Sequence, residues 1–507
     1  MRLLQSYTDR RLMNANIAAR FRQVFESNLD KVCLLRPGLV DWTYRDLLFA
    51  MGQYANALNS LGVEPGDRVM VQVEKTPEAI ALYLGCLQIG GVYVPVNTAY
   101  TLDEVAYFVS DADPKVLVSS TDVNLGPSNM ILDSDGSGSL AVLAKSQSTN
   151  CVVASLKGEE LAAILYTSGT TGRSKGAMLS HDNLSSNAET LVNYWSWQDN
   201  DILIHALPIY HVHGLFVASH CVFLTGTTML FFPKFEAGAI IQHIKQATVL
   251  MGVPTFYTRL LEHSEFDEQL TDHMRLFISG SAPLTEQTFL NFEEKTGHRI
   301  LERYGMSETG MITSNPYDGD RLAGTVGYAL PNVQVRITGD KGEVLKPELV
   351  GGIEVRGPNV FSGYWRMPEK TAQEFRSDGF FVTGDMGVMS SDGRVSIVGR
   401  EKDLVISGGL NVYPKEVEIL IDALEGVKES AVIGVPHPDF GEAVVVVIVG
   451  NSLIKLSELD AYLKDRLARF KQPKAIFHLN ELPRNAMGKV QKNRLRELYA
   501  STFKAES

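Results

Sequence analysis

The sequence predicts an α/β protein with a large N-terminal body of mainly parallel sheets flanked by helices, and a small, mobile α+β C-terminal domain. Most of the chain alternates short apolar strands with amphipathic segments, which is the pattern of βαβ units. From about residue 320, Gly, Pro and Asp turns separate short strands that we expect to be antiparallel. After Arg400 a new pattern fills about a hundred residues, enough for a small domain.

The elements of the body follow from their apolar spacing. Short runs rich in Val, Ile and Leu predict strands at 67–73, 116–119, 161–167, 201–207, 248–253 and 275–279. Helical spacing occurs at 77–88, 183–195 and 239–247. Residues 121–150 are rich in Ser, Asn, Asp and Gly, so we expect variable surface structure there. Short antiparallel strands are expected at 352–355, 379–383 and 393–398.

The C-terminal part begins with a helix at Pro414, because proline suits the first helical turn. Strands at 431–435 and 443–449 and a second helix at 456–470 are expected to follow. We therefore predict a body at 1–399, a hinge at 400–402 and a C-terminal domain at 403–507, called the lid below.

Composition excludes several classes of protein. Of 507 residues, 45% are apolar and 21% charged, which is typical of a globular chain and excludes disordered or collagen-like proteins. The net charge of −12 argues against a nucleic-acid binder with a global basic field. The four cysteines lie far apart without metal-type spacing, so we expect free thiols in a reducing compartment, the cytoplasm.

Targeting and membrane signals are weak. Residues 1–12 carry three arginines but no long apolar core, so they are no secretory signal. A short organelle-targeting segment is the alternative to a cytoplasmic location, and Met13 is an alternative start. The longest apolar stretch, 215–232, is interrupted by Ser, His, Thr and Gly. It therefore predicts a buried helix, a turn and a strand, and no membrane span.

The most informative segment is the Gly-, Ser- and Thr-rich loop within 166–178, which follows a buried strand. Its glycines let the backbone present N–H groups to an anion, and its hydroxyls, Arg173 and Lys175 add donors and charge that suit a triphosphate. It is not a Walker A loop, because Lys175 precedes Gly176 instead of following a glycine. A flexible surface loop is the alternative interpretation.

Further motifs occur in a fixed order along nearly the whole chain. They are RYGMSET at 303–309, GYW at 363–365, TGD at 383–385, GREKDLVISGGLNVYP at 399–414 and PRNAMGK at 483–489. Together with the loop they resemble the adenylate-forming enzymes, which include acyl-CoA synthetases, luciferases and the adenylation domains of peptide synthetases. The resemblance implies ATP, Mg²⁺ and coenzyme A as substrates or cofactors, and a small β-barrel-like part beside the main sheets. It makes the body the adenylation domain, which binds ATP and the acid.

The resemblance also implies which residues bind the nucleotide. Glu308 is the implied Mg²⁺ ligand, and Asp385 and Arg400 contact the ribose. Ser307 stands where the family usually has threonine, and its hydroxyl is expected to keep the phosphate contact. The remaining ATP contacts are implied at Thr167, Ser168, Gly169, Thr170, Thr171, Gly172, Arg173, Ser174, Lys175, Ser281, Ala282, Tyr304, Gly305, Met306 and Ser307.

The residues implied to act in the reaction lie mainly in the C-terminal part. Lys489 would approach both the carboxylate and the α-phosphate, since a mobile point charge can follow developing charge. Acetylation would remove that charge, which makes Lys489 a candidate for a lysine acetyltransferase. Lys402 is the implied hinge, and Gly408 and Gly409 would let the pantetheine arm of coenzyme A pass. In the body, His211 is placed near the reacting carboxylate.

Arg303 indicates which acid is activated. It precedes the Tyr-Gly of its motif, where relatives that use fatty or aromatic acids carry a small or neutral residue. A buried guanidinium would be satisfied by a second substrate carboxylate, and Arg259 could add a second charge. An ion pair between Arg303 and Glu302 is the alternative, and Arg259 on an amphipathic helix has an equally good structural explanation.

Longer stretches resemble bacterial malonyl-CoA synthetases in particular. These stretches are HALPIYHVHGLF, MGVPTFYTRLL, LFISGSAPL, ERYGMSET and TSNPYDGDR. The resemblance implies conversion of malonate, ATP and coenzyme A to malonyl-CoA, AMP and pyrophosphate, with methylmalonate as a poorer substrate. A short- or medium-chain monocarboxylate ligase and a module that loads a carrier protein in trans are alternatives. A non-catalytic nucleotide sensor is disfavoured because Lys489 and Glu308 are both present.

Overall fold

The computed structural model describes residues 14–125, 128–167, 174–451, 453–485 and 488–503. Within these residues the chain forms four sheets, two in the N-terminal half and one each in the middle and C-terminal parts. No helix in these residues is long and apolar enough to cross a lipid bilayer.

The first sheet is parallel except at one edge. In spatial order its strands are Asn129–Ile131, Val116–Ser119, Arg68–Gln72, Val92–Pro95, Leu161–Thr167 and Lys175–Ser180. The last two strands pair antiparallel and flank the predicted phosphate loop. Val92–Pro95 and Val116–Ser119 are buried throughout, as expected for strands covered on both faces.

The second sheet is parallel in its centre and antiparallel at both edges. In spatial order its strands are Tyr328–Ala329, Gly310–Ser314, Leu301–Met306, Leu276–Ser279, Val249–Gly252, Ile202–His205, Thr228–Phe231, Val32–Leu35 and Trp42–Thr43. The carboxyl ends of the central strands lead into the 208–214 loop, Ser281 and Arg303. The carboxyl edge of a parallel sheet is where ligands of α/β proteins bind.

Helices fill the space between these two sheets and cover their outer faces. Pro77–Gln88 is buried along its whole length, and its core joins side chains of both sheets. The helices of the body are Ile17–Glu26, Tyr44–Ser60, Pro77–Gln88, Leu102–Ala112, Ser139–Lys145, His181–Tyr194, Ser219–Thr225, Ala237–His243, Pro254–Leu261, Glu268–Thr271, Glu286–Thr296 and Pro368–Glu374. A π-helix spans His213–Ala218, and a 3₁₀ turn spans Ile244–Gln246.

The middle of the chain forms an open antiparallel sheet. Its strands are Gln334–Thr338, Gly351–Arg356, Phe381–Met389 and Val395–Arg400, in that order. Within the described residues the two edge strands do not pair, so the β-barrel-like part that we expected is not a closed barrel. The open sheet brings Asp385 opposite Arg400.

The lid has a sheet and a core of its own. Its strands are Leu410–Val412, Val405–Ser407, Gly441–Gly450 and Val427–His437, and Ala475–His478 pairs parallel with Gly441–Gly450. Its helices are Pro414–Asp422, Leu456–Leu463 and Lys492–Tyr499, with 3₁₀ turns at Glu401–Asp403 and Arg469–Lys471. The boundaries at 399 and 403 stay a prediction, whereas the predicted α/β class is confirmed.

Two segments differ from expectation. Residues 121–150 contain a strand, Asn129–Ile131, and a helix, Ser139–Lys145, whose buried face is made of Leu140, Ala141 and Ala144. Two of these three residues are alanines, so the apolar face is weak in the sequence. The helix predicted at 456–470 ends at Leu463, where the side-chain amide of Gln472 donates to the carbonyl of Leu467 at 2.8 Å. A side chain satisfies this carbonyl in place of a further helical turn.

Candidate functional site

Tyr304, Asp385 and Arg400 form one cluster beside the open sheet. The Tyr304 hydroxyl donates to Oδ2 of Asp385 at 2.5 Å, and Nε of Arg400 lies 3.1 Å from Oδ1. Attraction by the Asp385 carboxylate raises the pKa of Arg400. Each carboxylate oxygen keeps a second lone pair, so buried Asp385 can still accept hydroxyl groups. The ribose role of Asp385 and Arg400 stays a prediction that this arrangement suits.

Glu308 is a buried carboxylate at the end of the phosphate loop. Its Oε1 accepts from the hydroxyls of Thr167 at 3.3 Å and Tyr364 at 3.2 Å. Burial raises its pKa, which is expected for a carboxylate without a cation beside it. A hard oxygen ligand of this kind fits Mg²⁺. The described residues contain no cluster of three acidic, His or Cys ligands, so most of the remaining ligands of such an ion would be phosphate oxygens and water.

Lys175 has a partner that the sequence did not indicate. Its Nζ lies 2.9 Å from Oε1 of Glu374 and 4.2 Å from the centre of the Tyr364 ring. The Tyr364 hydroxyl also donates to Oε2 of Glu374 at 2.7 Å. The Lys175 ammonium is therefore anchored on two sides, and at least one of its three N–H groups remains for a phosphate.

The other predicted loop residues divide into two groups. Ser174 lies at the end of the loop, and its carbonyl accepts from the Tyr107 hydroxyl at 2.9 Å. The predictions for Ser168, Gly169, Thr170, Thr171, Gly172 and Arg173 lie outside the described residues.

Arg303 is buried without a hydrogen-bond partner for two of its nitrogens. Only 2% of the residue is exposed, and among the described residues Nε and Nη2 have no acceptor. Burial lowers its pKa to about 9. A Cβ on Gly280 would lie 2.5 Å from the guanidinium carbon, so a glycine is needed for this close approach. An arrangement with buried, unpaired donors indicates a site for an anion.

Glu302 does not form the ion pair that was the alternative for Arg303. Neighbouring side chains in a strand point to opposite faces, and Oε1 of Glu302 accepts from the Leu284 amide at 3.2 Å. Burial also raises the pKa of Glu302 to about 7, so its carboxyl group is a weak counter-charge at neutral pH.

Two histidines of the 208–214 loop face Arg303. His213 is fully buried, with Nδ1 3.2 Å from the Ser281 hydroxyl and Nε2 without a partner among the described residues. His211 is half-buried, and its Nδ1 accepts from the His213 amide at 3.3 Å. Burial lowers the pKa of His211 to about 3, and the nearby charges of Lys489 and Arg303 lower it further. Both histidines are therefore neutral at pH 7, so they act by hydrogen bonding.

Lys489 lies between the nucleotide and acyl sides of the site. Its turn is closed by hydrogen bonds in both directions with Asn485, at 3.0 and 2.9 Å. Burial lowers the pKa of Lys489 to about 8, the charge of Arg400 acts in the same direction, and Asp385 and Glu308 oppose it. A Cβ on the preceding Gly488 would lie 3.4 Å from the Thr255 hydroxyl, so this lid turn contacts the body.

Residues 21–365 match the family described as AMP-binding enzyme, and residues 416–489 match the AMP-binding enzyme C-terminal domain. The chain belongs to the AMP-binding enzyme family. Among curated relatives, malonate–CoA ligase from Arabidopsis thaliana is 34% identical over 88% of this chain and 80% of its own length. Long-chain-fatty-acid–CoA ligase from Bacillus subtilis is 32% identical over 90% of both chains. Relatives of similar identity thus carry different acid names.

Solved structures of the family are more similar. ATP-bound MatB from Rhodopseudomonas palustris is 52% identical, with a TM-score of 0.94 over 97% of this chain and all of that one. The apo form of the same protein covers the same shares at 53% identity, with a TM-score of 0.83. The present structure therefore corresponds more closely to the ATP-bound arrangement.

Arg259 is not brought into the cluster around Arg303. It is exposed in the last turn of Pro254–Leu261, whereas Tyr257 and Leu260 form the buried face of that helix. Among the described residues, no hydrogen bond or ion pair links it to Arg303 or to the histidines. Its placement offers no support for the predicted role as a second substrate charge.

The remaining predicted residues occupy turns and strand ends. Lys402 is exposed in the 3₁₀ turn between the open sheet and the lid sheet. Gly408 and Gly409 form an exposed turn with φ of +60° and +78°, a conformation that favours glycine. Ser281 and Ala282 follow the strand Leu276–Ser279, and Gly305, Met306 and Ser307 end the strand before Glu308.

Sequence reasoning assigned no site role to three residues that contact the cluster. His213 was expected only to shape the pocket. Tyr364 was assigned to the ribose region, although its hydroxyl contacts Glu308 and Glu374. Glu374 is 199 residues from Lys175 in the chain, and no local pattern could have paired them.

Proposed function

We propose that this enzyme is an ATP-dependent malonate–CoA ligase that forms malonyl-CoA, AMP and pyrophosphate through malonyl-adenylate. The observation that carries the proposal is the buried Arg303 guanidinium with two unpaired nitrogens. A monocarboxylate would leave these donors unpaired at a cost of about 1–3 kcal/mol or more. The second carboxylate of malonate can accept both in a bidentate pair. The malonate–CoA ligase relative supports the same reaction.

Activation of the acid needs charge neutralisation and no protein nucleophile. The near carboxylate of malonate attacks the α-phosphorus of ATP, and pyrophosphate leaves with the electrons of the broken P–O bond. Lys489 lies between the Glu308 and Arg303 sides of the site, where its ammonium can follow charge from the carboxylate to the phosphate. Mg²⁺ held by Glu308 would neutralise phosphate charge. The anchored Lys175 would orient the phosphates.

Arg303 and the neutral histidines select and orient the acid. The guanidinium binds the far carboxylate, and Nε2 of His213 can share it as a neutral hydrogen-bond donor. His211 lies nearer to Lys489 and faces the reacting carboxylate. Because both imidazoles are uncharged, the positive charge around malonate comes mainly from Arg303 and Lys489.

Thioester formation uses a second arrangement of the same site. The coenzyme A thiolate attacks the acyl carbon of malonyl-adenylate, and AMP leaves. We infer that rotation at Lys402 removes Lys489 and brings the Gly408–Gly409 turn to the pantetheine arm. The different TM-scores to the ATP-bound and apo forms of one relative support a change of arrangement within this family.

The enzyme is also proposed to act in the cytoplasm. Its four free cysteines, three of them buried, suit a reducing compartment. A lysine acetyltransferase acting on Lys489 stays a prediction, to which the half-buried position of that side chain is relevant.

The experiment is coenzyme-A-dependent AMP release with malonate, methylmalonate, succinate, acetate and octanoate. Malonate should have the highest kcat/KM and methylmalonate a lower value. A preference for octanoate or acetate would favour the alternative, a monocarboxylate ligase, and would refute the role of Arg303. Wild-type enzyme suffices, so no variant can confuse the result.

A further inference from the structure

A pair of buried basic residues lies next to the acyl site without a place in the mechanism so far. Lys75 is 6% exposed and His205 is fully buried. Nζ of Lys75 lies 2.7 Å from Nδ1 of His205, 2.7 Å from the His205 carbonyl oxygen and 4.5 Å from the centre of the Phe231 ring. Burial lowers the pKa of Lys75 well below its usual value. Burying a lysine in this way is costly, so its contacts call for an explanation.

The contacts of His205 fix its tautomer. Its Nε2 lies 2.9 Å from the Gly214 carbonyl oxygen, which can only accept a hydrogen bond. Nε2 must therefore carry the hydrogen, and Nδ1 is the acceptor for the Lys75 N–H. Lys75, as a donor to Nδ1, selects the tautomer that reaches Gly214.

The Gly214 carbonyl belongs to an unusual helical turn. His213–Ala218 is a π-helix, in which the Ser219 amide donates to Gly214. The Ser219 hydroxyl donates to the same oxygen at 2.8 Å. A Cβ on Gly214 would lie 2.1 Å from the Pro208 carbonyl oxygen, so this backbone approach needs glycine. π-turns are rare and occur frequently at functional sites.

The π-turn starts at His213, and that residue faces the buried anion site. Its Nδ1 lies 3.2 Å from the Ser281 hydroxyl, and the charge of Arg303 lowers its pKa, which indicates a close approach. A hydrogen-bonded path thus runs from Lys75 through His205 to the turn that orients His213. No part of this path touches the nucleotide cluster at Asp385 and Arg400 among the contacts described.

We propose that Lys75 is a positioning residue for acid recognition, which holds the π-turn and His213 in place through the tautomer of His205. This proposal rests on the proposed function only in naming malonate as the acid. A purely structural tie is the alternative, because Lys75 follows a strand of the first sheet and His205 ends a strand of the second. Such a tie would affect folding and both substrates alike.

The test is steady-state kinetics of Lys75→Met, which keeps the length of the side chain and removes its donors. The KM for malonate should rise by about tenfold, because a misplaced contact weakens acid binding, and the KM for ATP should stay within about twofold. Lys234→Met is the matched control, since Lys234 is 79% exposed, and it should change neither value. His205→Phe should raise the malonate KM, and adding Lys75→Met to it should cause no further rise.

The outcomes separate this proposal from the proposed function. Equal rises in both KM values, or additive effects of the two substitutions, would overturn the positioning role. If wild-type enzyme prefers another acid, the proposed function fails, and the same comparison is made with that acid. Neutron diffraction of wild-type crystals needs no variant: deuterium on Nε2 and none on Nδ1 of His205 supports the proposal, and deuterium on Nδ1 overturns it.

Discussion

Replacing Arg303 by methionine separates substrate recognition from stability. In the malonate complex the substitution leaves a buried carboxylate without its charged partner. Truncating one partner of a buried, hydrogen-bonded charge pair costs about 2–5 kcal/mol. A value of about 3 kcal/mol corresponds to a rise of roughly 100-fold in the KM for malonate, at 1.4 kcal/mol per tenfold. The ATP KM should change little, because Tyr304 and Asp385 are untouched.

Stability should respond in the opposite way. In the free protein, Nε and Nη2 of Arg303 are buried without acceptors, so methionine removes a desolvated charge and keeps most of the packing. Replacing buried charges by apolar side chains is often neutral or stabilising. The melting temperature of Arg303→Met should therefore equal or exceed that of the wild type.

The assay combines malonate and ATP kinetics with thermal unfolding. Arg299→Met is the matched control, because Arg299 is a surface residue paired with Glu293, and such pairs contribute about 0–1 kcal/mol. Equal rises in the malonate and ATP KM values would refute specific recognition. A melting temperature clearly below that of the wild type would refute the conclusion that the guanidinium is unpaired.

The remaining predictions concern the lid. Lys489→Ala should abolish malonyl-AMP formation, measured as malonate-dependent pyrophosphate exchange, and largely spare thioester formation from supplied malonyl-AMP; equal loss of both contradicts the assignment. Lys402→Pro should stall one half-reaction selectively, because proline restricts the backbone at the hinge, and equal slowing of both counts against rotation there. The pKa of Lys489 is lowered to about 8, so its reactive neutral amine predominates above that pH. Its acylation by acetic anhydride, followed by peptide mass spectrometry, should level off above about pH 9, and a rate that rises steeply to pH 10.5 would contradict the lowered pKa.

The sequence predicts those parts of the fold that depend on local periodicity. The strand 116–119 and the helix 77–88 have their predicted bounds, and the 215–232 stretch forms helix, turn and strand. Residues 139–145 were missed because their buried helix face is short and mostly alanine. The open antiparallel sheet was expected to be barrel-like because the resemblance implied it, and closure depends on pairing between distant edges that no local pattern reveals.

The site shows the same division between local and long-range information. Strand alternation could have predicted that Arg303 and Glu302 point apart, and helical spacing from Tyr257 and Leu260 could have placed Arg259 on the exposed face. The Lys175–Glu374 pair joins residues of different sheets and helices, so it appears only in three dimensions. The π-turn at His213 depends on Lys75 and His205 in the same way.

The central claim is that Arg303 recognises the second carboxylate of the acid. The most direct measurement compares wild-type kcat/KM for malonate with that for malonamate, which has nearly the same size and a neutral amide in place of that carboxylate. Loss of one buried charge–charge contact of about 3 kcal/mol predicts a preference for malonate of roughly 100-fold. Equal kcat/KM values for the two acids would contradict the account.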